Sequence, residues 1–462
     1  IEHNPLYTAY ELEKQFLDHG ARVAIVFDRE AETFHTLQAT TALETVIAVN
    51  LIDAMPRHLQ LALRVPLGPV QAQREELHTP APNAIAWESL VAKPAAPTDL
   101  PTIAQSDTTF ILYTSGTTGT PKGVPLTHAN VLSVLAAGAQ WVKDWGAVNE
   151  KVLAILPMFH IYGLALNYGF PLTVVGQIVL VPAPKPKLYQ QAILKTRPTL
   201  LPGVPLLYER IAQWAVEKNV DLSSFHSAIS GAATLPQTTI ELWERVTGGQ
   251  LIEGYGLTET SPCLCGNPLD GNRRPGYIGV PFPNTDIRIA NPDNPSETMP
   301  DGEPGELLAR GPQVFAGYLN NPEATEQAFH DGWFRTGDMA VMEPDGFIRL
   351  VARIKEIIIT GGFNVYPDEV EEAVRTHPDV EDVAVVGRPR EDGSEDVVAC
   401  VTLRDGAPLD PDGLQEHARQ RLTRYKVPRT FYHFEDLNRD QTGKVRRRAV
   451  QQELVAMLQS TQ

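Results

Sequence analysis

The chain has 462 residues, 43% hydrophobic and 21% charged, with 39 basic against 56 acidic side chains and a formal charge of −17. Such a length allows roughly two to four domains with a sizeable core, and the acidic excess makes a nucleic-acid backbone a poor partner. Three cysteines, Cys263, Cys265 and Cys400, cannot staple a chain this long, which fits a reducing compartment.

The chain opens Ile1-Glu2-His3, with neither methionine nor an apolar leader, and so reads as a fragment. Taken in order, "GARVAIVFD" (20–28), "TTFILYTS" (108–115) and "KVLAILPMF" (151–159) read as near-continuous apolar strands, with helical patterns such as "ANVLSVLAAGAQWV" from Ala129 between them. That alternation predicts a largely parallel α/β domain buried on both faces. Val152 to Pro184 carries no charged residue. Pro157, His160 and Pro171 break it into strand-sized runs, so a buried strand–turn–helix region fits better than a bilayer helix. Cys263-x-Cys265 lacks a second pair at metal spacing and reads as incidental.

From Gly276 short strands alternate with Pro, Gly, Asn and Asp, predicting a smaller β subdomain. Near Val351 the texture changes again. "IKEIIIT" reads as a strand and Gly361-Gly362 as a turn. "PDEVEEAVRTH" is a helix entered at Pro367, with an apolar stripe of Val370, Ala373 and Val374, ended by Pro378. "VEDVAVVGRP" and "DVVACVTLR" supply further strands. The fold class is α/β: a large N-terminal domain over 1–350 and a small α+β domain over 357–462, joined by a charged linker, 351–356.

Four stretches carry chemistry. "YTSGTTGTPKGV" (113–124) gathers small donors around Lys122. Its glycines allow close backbone approach, and its hydroxyls and amides suit phosphate oxygens. The spacing Gly116-x-x-Gly119-x-x-Lys122 is not that of the GxxxxGK[ST] nucleotide loop, and Pro121 and Pro125 keep it from running into a helix. "GYGLTET" (254–260) offers Tyr255 for base stacking, Thr258 for phosphate and Glu259 for a hard cation such as Mg²⁺. "GWFRTGDMA" (332–340) sets Asp338 after a Thr-Gly turn, where a carboxylate accepts from two ribose hydroxyls. "DQTGKVRRR" (440–448) exposes Lys444 on a glycine turn; read alone, it is a solvated surface lysine.

With these in order, the chain resembles the adenylate-forming superfamily of acyl- and aryl-CoA synthetases, luciferases and peptide-synthetase adenylation domains. "PMFHIYG" (157–163), "SGAATLP" (230–236), "GYLNNPEAT" (317–325), "IITGGFNVYPDEVEE" (358–372) and "YKVP" (425–428) extend the likeness, which is strongest to bacterial long-chain fatty-acid–CoA ligases. The resemblance implies ATP, Mg²⁺, a fatty acid and coenzyme A, and two steps. The carboxylate attacks the α-phosphate to give acyl-AMP and diphosphate; the CoA thiol then displaces AMP.

By motif, Thr114, Ser115, Gly116, Thr117, Thr118, Gly119 and Lys122 would hold the β- and γ-phosphates, with Thr114 and Glu259 about Mg²⁺. Gly231, Ala232 and Tyr255 would wall the adenine, Gly254 and Gly256 would belong to the same nucleotide site, Thr258 would touch the α-phosphate, Asp338 the ribose, and Arg353 the ribose or phosphates. Lys444 would be catalytic in adenylation, bridging the carboxylate and α-phosphate. His160 would line the acyl and thiol channel, against a reading as a satisfied core histidine, and Gly362 and Lys426 would serve coenzyme A. Lys355 is the hinge candidate for rotation of the mobile C-terminal domain. Relatives commonly carry Asp where this chain has Ala352, and "NRDQ" (438–441) replaces a commoner Pro-containing form. The resemblance also implies a cytoplasmic enzyme that can visit the inner face of the membrane and can form a homodimer. Rival readings are a medium-chain or aryl CoA ligase, an acyl-AMP ligase serving a carrier protein, and a non-catalytic nucleotide- or lipid-binding homologue.

Overall fold

A computed structural model describes residues 1–5, 7–92, 100–114, 121–142, 150–353, 356–360, 363–390, 395–404, 406–422, 424–439 and 443–460. The chain divides into two compact units, Ile1–His128 with Ala316–Thr325, and Ala129–Phe315 with Glu326–Gln462.

In the first unit, helix Ala9–His19 starts at a capping box in which the Glu11 backbone N–H donates to the Thr8 hydroxyl and the Thr8 N–H to the Glu11 carboxylate. It ends on Gly20 at φ 63°. Leu12 and Phe16 face Phe34, Leu37 and Val46, the last from a parallel sheet of β1 (Val23–Phe27), β2 (Thr45–Val49) and β3 (Ile85–Ala86). The strand expected over 108–115 is β4 (Thr108–Thr114), but it does not join a parallel sheet. It pairs antiparallel with β5 (Lys122–Thr127), Thr114 opposite Lys122. A two-stranded ribbon tolerates Pro125, which cannot donate to a ladder.

The second unit is built on a seven-stranded sheet ordered β12-β11-β10-β9-β8-β6-β7. Here β6 is Lys151–Ala154, β7 Gln177–Leu180, β8 Leu200–Gly203, β9 Ser227–Ser230 and β10 Gln250–Tyr255, all parallel; β11 (Cys265–Gly266) and β12 (Val280–Pro281) turn antiparallel. Alternate residues feed opposite faces, as a pleated strand requires. Leu153, Leu201, Ala228 and Leu251 pack on Tyr208, Ile211, Ile240 and Trp243 of helices Pro205–Lys218 and Gln237–Thr247. Val152 and Leu200 pack on Val134 and Leu135 of helix His128–Trp141. Each large side chain buried in this way contributes about 1.5–3 kcal/mol. The uncharged stretch 152–184 is strand, turn and then a helical run over 161–173, as expected, followed by β7, and no helix among the described residues is long and apolar enough to cross a membrane.

The β subdomain is an antiparallel sheet of β13 (Asp286–Ala290), β14 (Gly305–Arg310), β15 (Phe329–His330), β16 (Trp333–Met342) and β17 (Ile348–Arg353). Val351–Arg353 of the expected linker complete β17, and Lys355 lies outside the described residues. After β18 (Ile358–Thr360) and β19 (Phe363–Val365), the C-terminal domain forms a sheet of β20 (Val380–Pro389), β21 (Glu395–Leu403) and β22 (Thr430–His433). Its hydrophobic runs are buried on both sides. Val383, Val385, Val397, Ala399 and Val401 meet helices Pro367–Arg375 and Pro411–Arg419; Ala384, Val386, Val398 and Cys400 meet Val450 and Leu454 of helix Arg447–Ser460.

Candidate active site

β9 ends at Ser230 and β10 at Tyr255, so Gly231, Ala232 and Tyr255 stand at the carboxyl edge of parallel strands, where open α/β sheets take ligands. A Cβ on Gly231 would lie 3.1 Å from the Tyr162 ring. That ring is anchored by its hydroxyl, which donates to the Ile229 carbonyl at 2.6 Å and lies 3.1 Å from the Gly203 carbonyl. Ala232 adopts φ 67°, exposing backbone at this turn. A Cβ on Gly256 would fall 1.6 Å from the Pro262 carbonyl oxygen, so no other residue fits between Tyr255 and the following turn without moving it.

Two motifs 83 residues apart meet here. The Tyr255 hydroxyl donates to Asp338 Oδ2 at 2.5 Å. Asp338, 4% exposed, follows Gly337 at φ 73° and lies opposite Arg353 in the β16–β17 ladder. The Asp338 N–H donates to Thr336 Oγ1, which donates to the Leu307 carbonyl, while Arg335 is held by Glu306 at 2.5 Å. The carboxylate is thus fixed before any ligand arrives. Tyr255→Phe removes one donor from a buried carboxylate, costing about 1.5–3 kcal/mol. A Tm that falls by a few degrees is the expected outcome of melting measurements on the two proteins.

Glu259, 8% exposed, occupies the single turn Thr258–Thr260. Its backbone carbonyl accepts from the Phe315 N–H at 2.8 Å, and the Leu257 N–H donates to Thr260 Oγ1 at 2.8 Å. No cluster of three metal-binding side chains occurs among the described residues. One buried carboxylate still fits Mg²⁺, which keeps waters and takes the rest of its shell from substrate phosphates.

Sequence reasoning passed over Glu253. It stands two residues before Tyr255 and in register with Ser230, whose buried hydroxyl has no hydrogen-bond partner among the described residues. Burial pushes the Glu253 carboxyl from 4.5 up to about 8. The signal was an acid inside a strand that otherwise reads as apolar. A carboxyl raised on folding stabilises the native state below its unfolded value, and that contribution is lost as pH rises through the folded value. Denaturant titrations should therefore show stability declining between pH 4.5 and about 8, a slope that Glu253→Gln flattens. Cys263 and Cys265 are free, and burial pushes the Cys263 thiol up to about 12, which leaves it inert near neutrality.

In the first unit, Thr114 closes β4 opposite Lys122; Ser115, Gly116, Thr117, Thr118 and Gly119 lie outside the described residues. His160 caps the short helix Ile161–Gly163 beyond β6 and is exposed, so it is not a core histidine. Lys426 Nζ is bound by both oxygens of Glu369, at 2.6 and 2.7 Å. Gly362 lies outside the described residues. Lys444 follows Gly443 at φ 86°, in a turn closed by the Arg439–Val445 bridge and by Arg439 Nη1 donating to the Gly443 carbonyl at 2.9 Å. A Cβ on Gly443 would lie 3.9 Å from Leu206, three residues past the end of β8. The Lys444 turn therefore lies at the same carboxyl edge as Gly231 and Tyr255.

Residues 2–319 match the AMP-binding enzyme family, and residues 369–444 match the AMP-binding enzyme C-terminal domain. A long-chain-fatty-acid–CoA ligase of Bacillus subtilis is 36% identical over 98% of this chain and 80% of its own length. A feruloyl-CoA synthase of an Amycolatopsis species is 34% identical over 94% and 79%. The crystal structure of ATP-bound MatB from Rhodopseudomonas palustris superposes with a TM-score of 0.81 at 28% identity, covering 98% of this chain and 82% of that one. Sequence and fold agree, and the chain belongs to the AMP-binding enzyme family.

Proposed function

We propose that the chain is a long-chain fatty-acid–CoA ligase. The observation that carries this reading is the placement of the Lys444 turn against Leu206, beside the edge that holds Tyr255 and the preset Asp338. In the first step a carboxylate oxygen bonds to the α-phosphorus and the bond to the diphosphate bridging oxygen breaks. Two anions must meet for this, so a positive charge at that point lowers the barrier. Lys444 supplies it, Asp338 holds the ribose with Arg353, and Tyr255, Gly254 and Gly256 with Gly231 and Ala232 wall the adenine. Thr258 touches the α-phosphate. By motif resemblance Glu259 and Thr114 are the residues that would hold Mg²⁺, which would neutralise phosphate charge, and Lys122 with the loop 114–119 would hold the terminal phosphates. In the second step the CoA sulfur bonds to the acyl carbon, the bond to the AMP oxygen breaks, and the thiol proton leaves to solvent.

His160 lines the acyl route, Gly362 and Lys426 serve CoA, and rotation about Lys355 in the 351–356 linker exchanges the faces presented for the two steps. Glu369 must release Lys426 for that role. Fatty acids partition into bilayers, so the enzyme meets its substrate at the inner membrane face, and homodimerisation belongs to the same reading. The relatives favour a fatty acid, while the feruloyl-CoA synthase keeps an aryl acid as the second reading. A thioester assay with ATP, Mg²⁺ and CoA across acids from acetate to oleate, with ferulate, tests this. Palmitoyl- or oleoyl-CoA should dominate by mass; product formed only on a supplied acyl carrier protein, or only from ferulate, overturns it.

A further inference from the structure

The segment "GYLNNPEAT" has no role in the chemistry above, yet within the first unit it is laid directly along the strand that leaves the phosphate loop. The Leu319 N–H donates to the Gly123 carbonyl at 2.8 Å. A Cβ on Gly123 would approach Leu319 Cβ to 3.1 Å, so the two backbones are as close as a glycine permits. Asn320, at φ 48°, donates through its side-chain amide to the Asp18 carbonyl at 2.7 Å. Asp18 Oδ2 accepts from the Tyr113 hydroxyl at 2.7 Å, and Tyr113 is the strand residue facing Gly123 across the β4–β5 ladder. The segment is therefore pinned to both strands that flank the loop. At its head, the Lys122 ammonium stands 4.8 Å from the centroid of the Tyr318 ring, within the range of a cation–π contact.

We propose that Tyr318 is a positioning residue for Lys122, holding the ammonium in place for the ATP phosphates without neutralising it; this rests on the reading of Lys122 as a phosphate ligand. A long lysine side chain loses about 2 kcal/mol of rotamer freedom when fixed. A carboxylate could fix it, but would compete with the phosphate for the charge. Among the described residues no carboxylate forms an ion pair with Lys122. A ring face attracts the cation through its quadrupole and leaves the full charge for the ligand. Tyr318 is in turn fixed by its own backbone, whose N–H donates to Thr325 Oγ1 at 2.9 Å, and Thr325 Oγ1 donates to the Asn321 carbonyl.

Calorimetric titration of the whole chain with MgATP tests this in a double-mutant cycle. Tyr318→Phe keeps the ring and should bind as wild type. Tyr318→Leu should weaken binding roughly 3- to 30-fold, with no further loss when added to Lys122→Met. Fluorinated phenylalanines at position 318, which drain the ring face without changing its shape, should weaken binding in step with fluorine number even if the leucine variant folds poorly. Equal losses from Tyr318→Leu in both backgrounds, or no grading with fluorine, overturn the proposal. Wild-type affinity in Lys122→Met instead overturns the reading of Lys122 itself.

Discussion

Lys444→Ala should lower fatty-acid-dependent exchange of diphosphate into ATP by about 10²–10³-fold, the usual loss when one transition-state donor is removed. The reasons are local. Gly443 at φ 86° turns the chain where an L side chain would be strained, and Arg439 closes the turn behind it. Lys444 thus follows a glycine held by Arg439 next to Leu206. Conversion of supplied palmitoyl-AMP to the thioester should fall much less, because in that step AMP is already the leaving group and no second anion has to approach a phosphate. Equal loss in both half-reactions would mean that the substitution disturbs the domain rather than the first step. Wild-type exchange would remove Lys444 from the chemistry and revive the reading as a binding protein.

Local pattern made much of this molecule legible. The alternating small and branched residues of β20 and β21 announce strands, and Pro367 marks its helix start as expected. The motifs too are read from adjacent residues, because a glycine turn with hydroxyls and a lysine is a local device. Pairing across sequence distance was not legible. Nothing in "TTFILYTS" shows that its partner is β5 rather than another apolar strand, since apolar runs fit parallel sheets and ribbons alike. Nor does Tyr255 reveal that its hydroxyl belongs to Asp338. Glu371 lies among the acids of "PDEVEEAVRTH" and reads as one more solvated charge, yet it is buried. Its partner, Arg447, stands in a basic run 76 residues later that reads as surface.

That pair sets the second large effect: Arg447→Met should destabilise the C-terminal domain by about 3–5 kcal/mol, the cost of leaving buried charge uncompensated. Arg447 begins helix Arg447–Ser460, where the helix dipole disfavours a cation. Three carboxylates more than offset that. Its guanidinium reaches Glu371 through Nε and Nη2, at 2.8 and 2.7 Å, Glu356 at 2.5 Å, and Asp368. Burial opposes its charge, but these carboxylates, Glu371 foremost, hold its proton more tightly than usual. Burial pushes the Glu371 carboxyl upward against the pull of Arg447, and Glu371 also accepts the Val385 N–H at 2.8 Å. Without the guanidinium its folded value rises further. A raised carboxyl contributes stability at low pH that is lost as pH climbs through it, so the Arg447→Met deficit should be smaller near pH 4 than near pH 8. Denaturant unfolding at the two pH values checks this, and Glu371→Gln in the same chain should recover part of the loss. Because Glu356 is the last residue of the expected 351–356 linker, the adenylation rate of Arg447→Met should fall in step with the folded fraction of this domain. A deficit independent of pH would show that Arg447 acts through packing of its stem and not through charge.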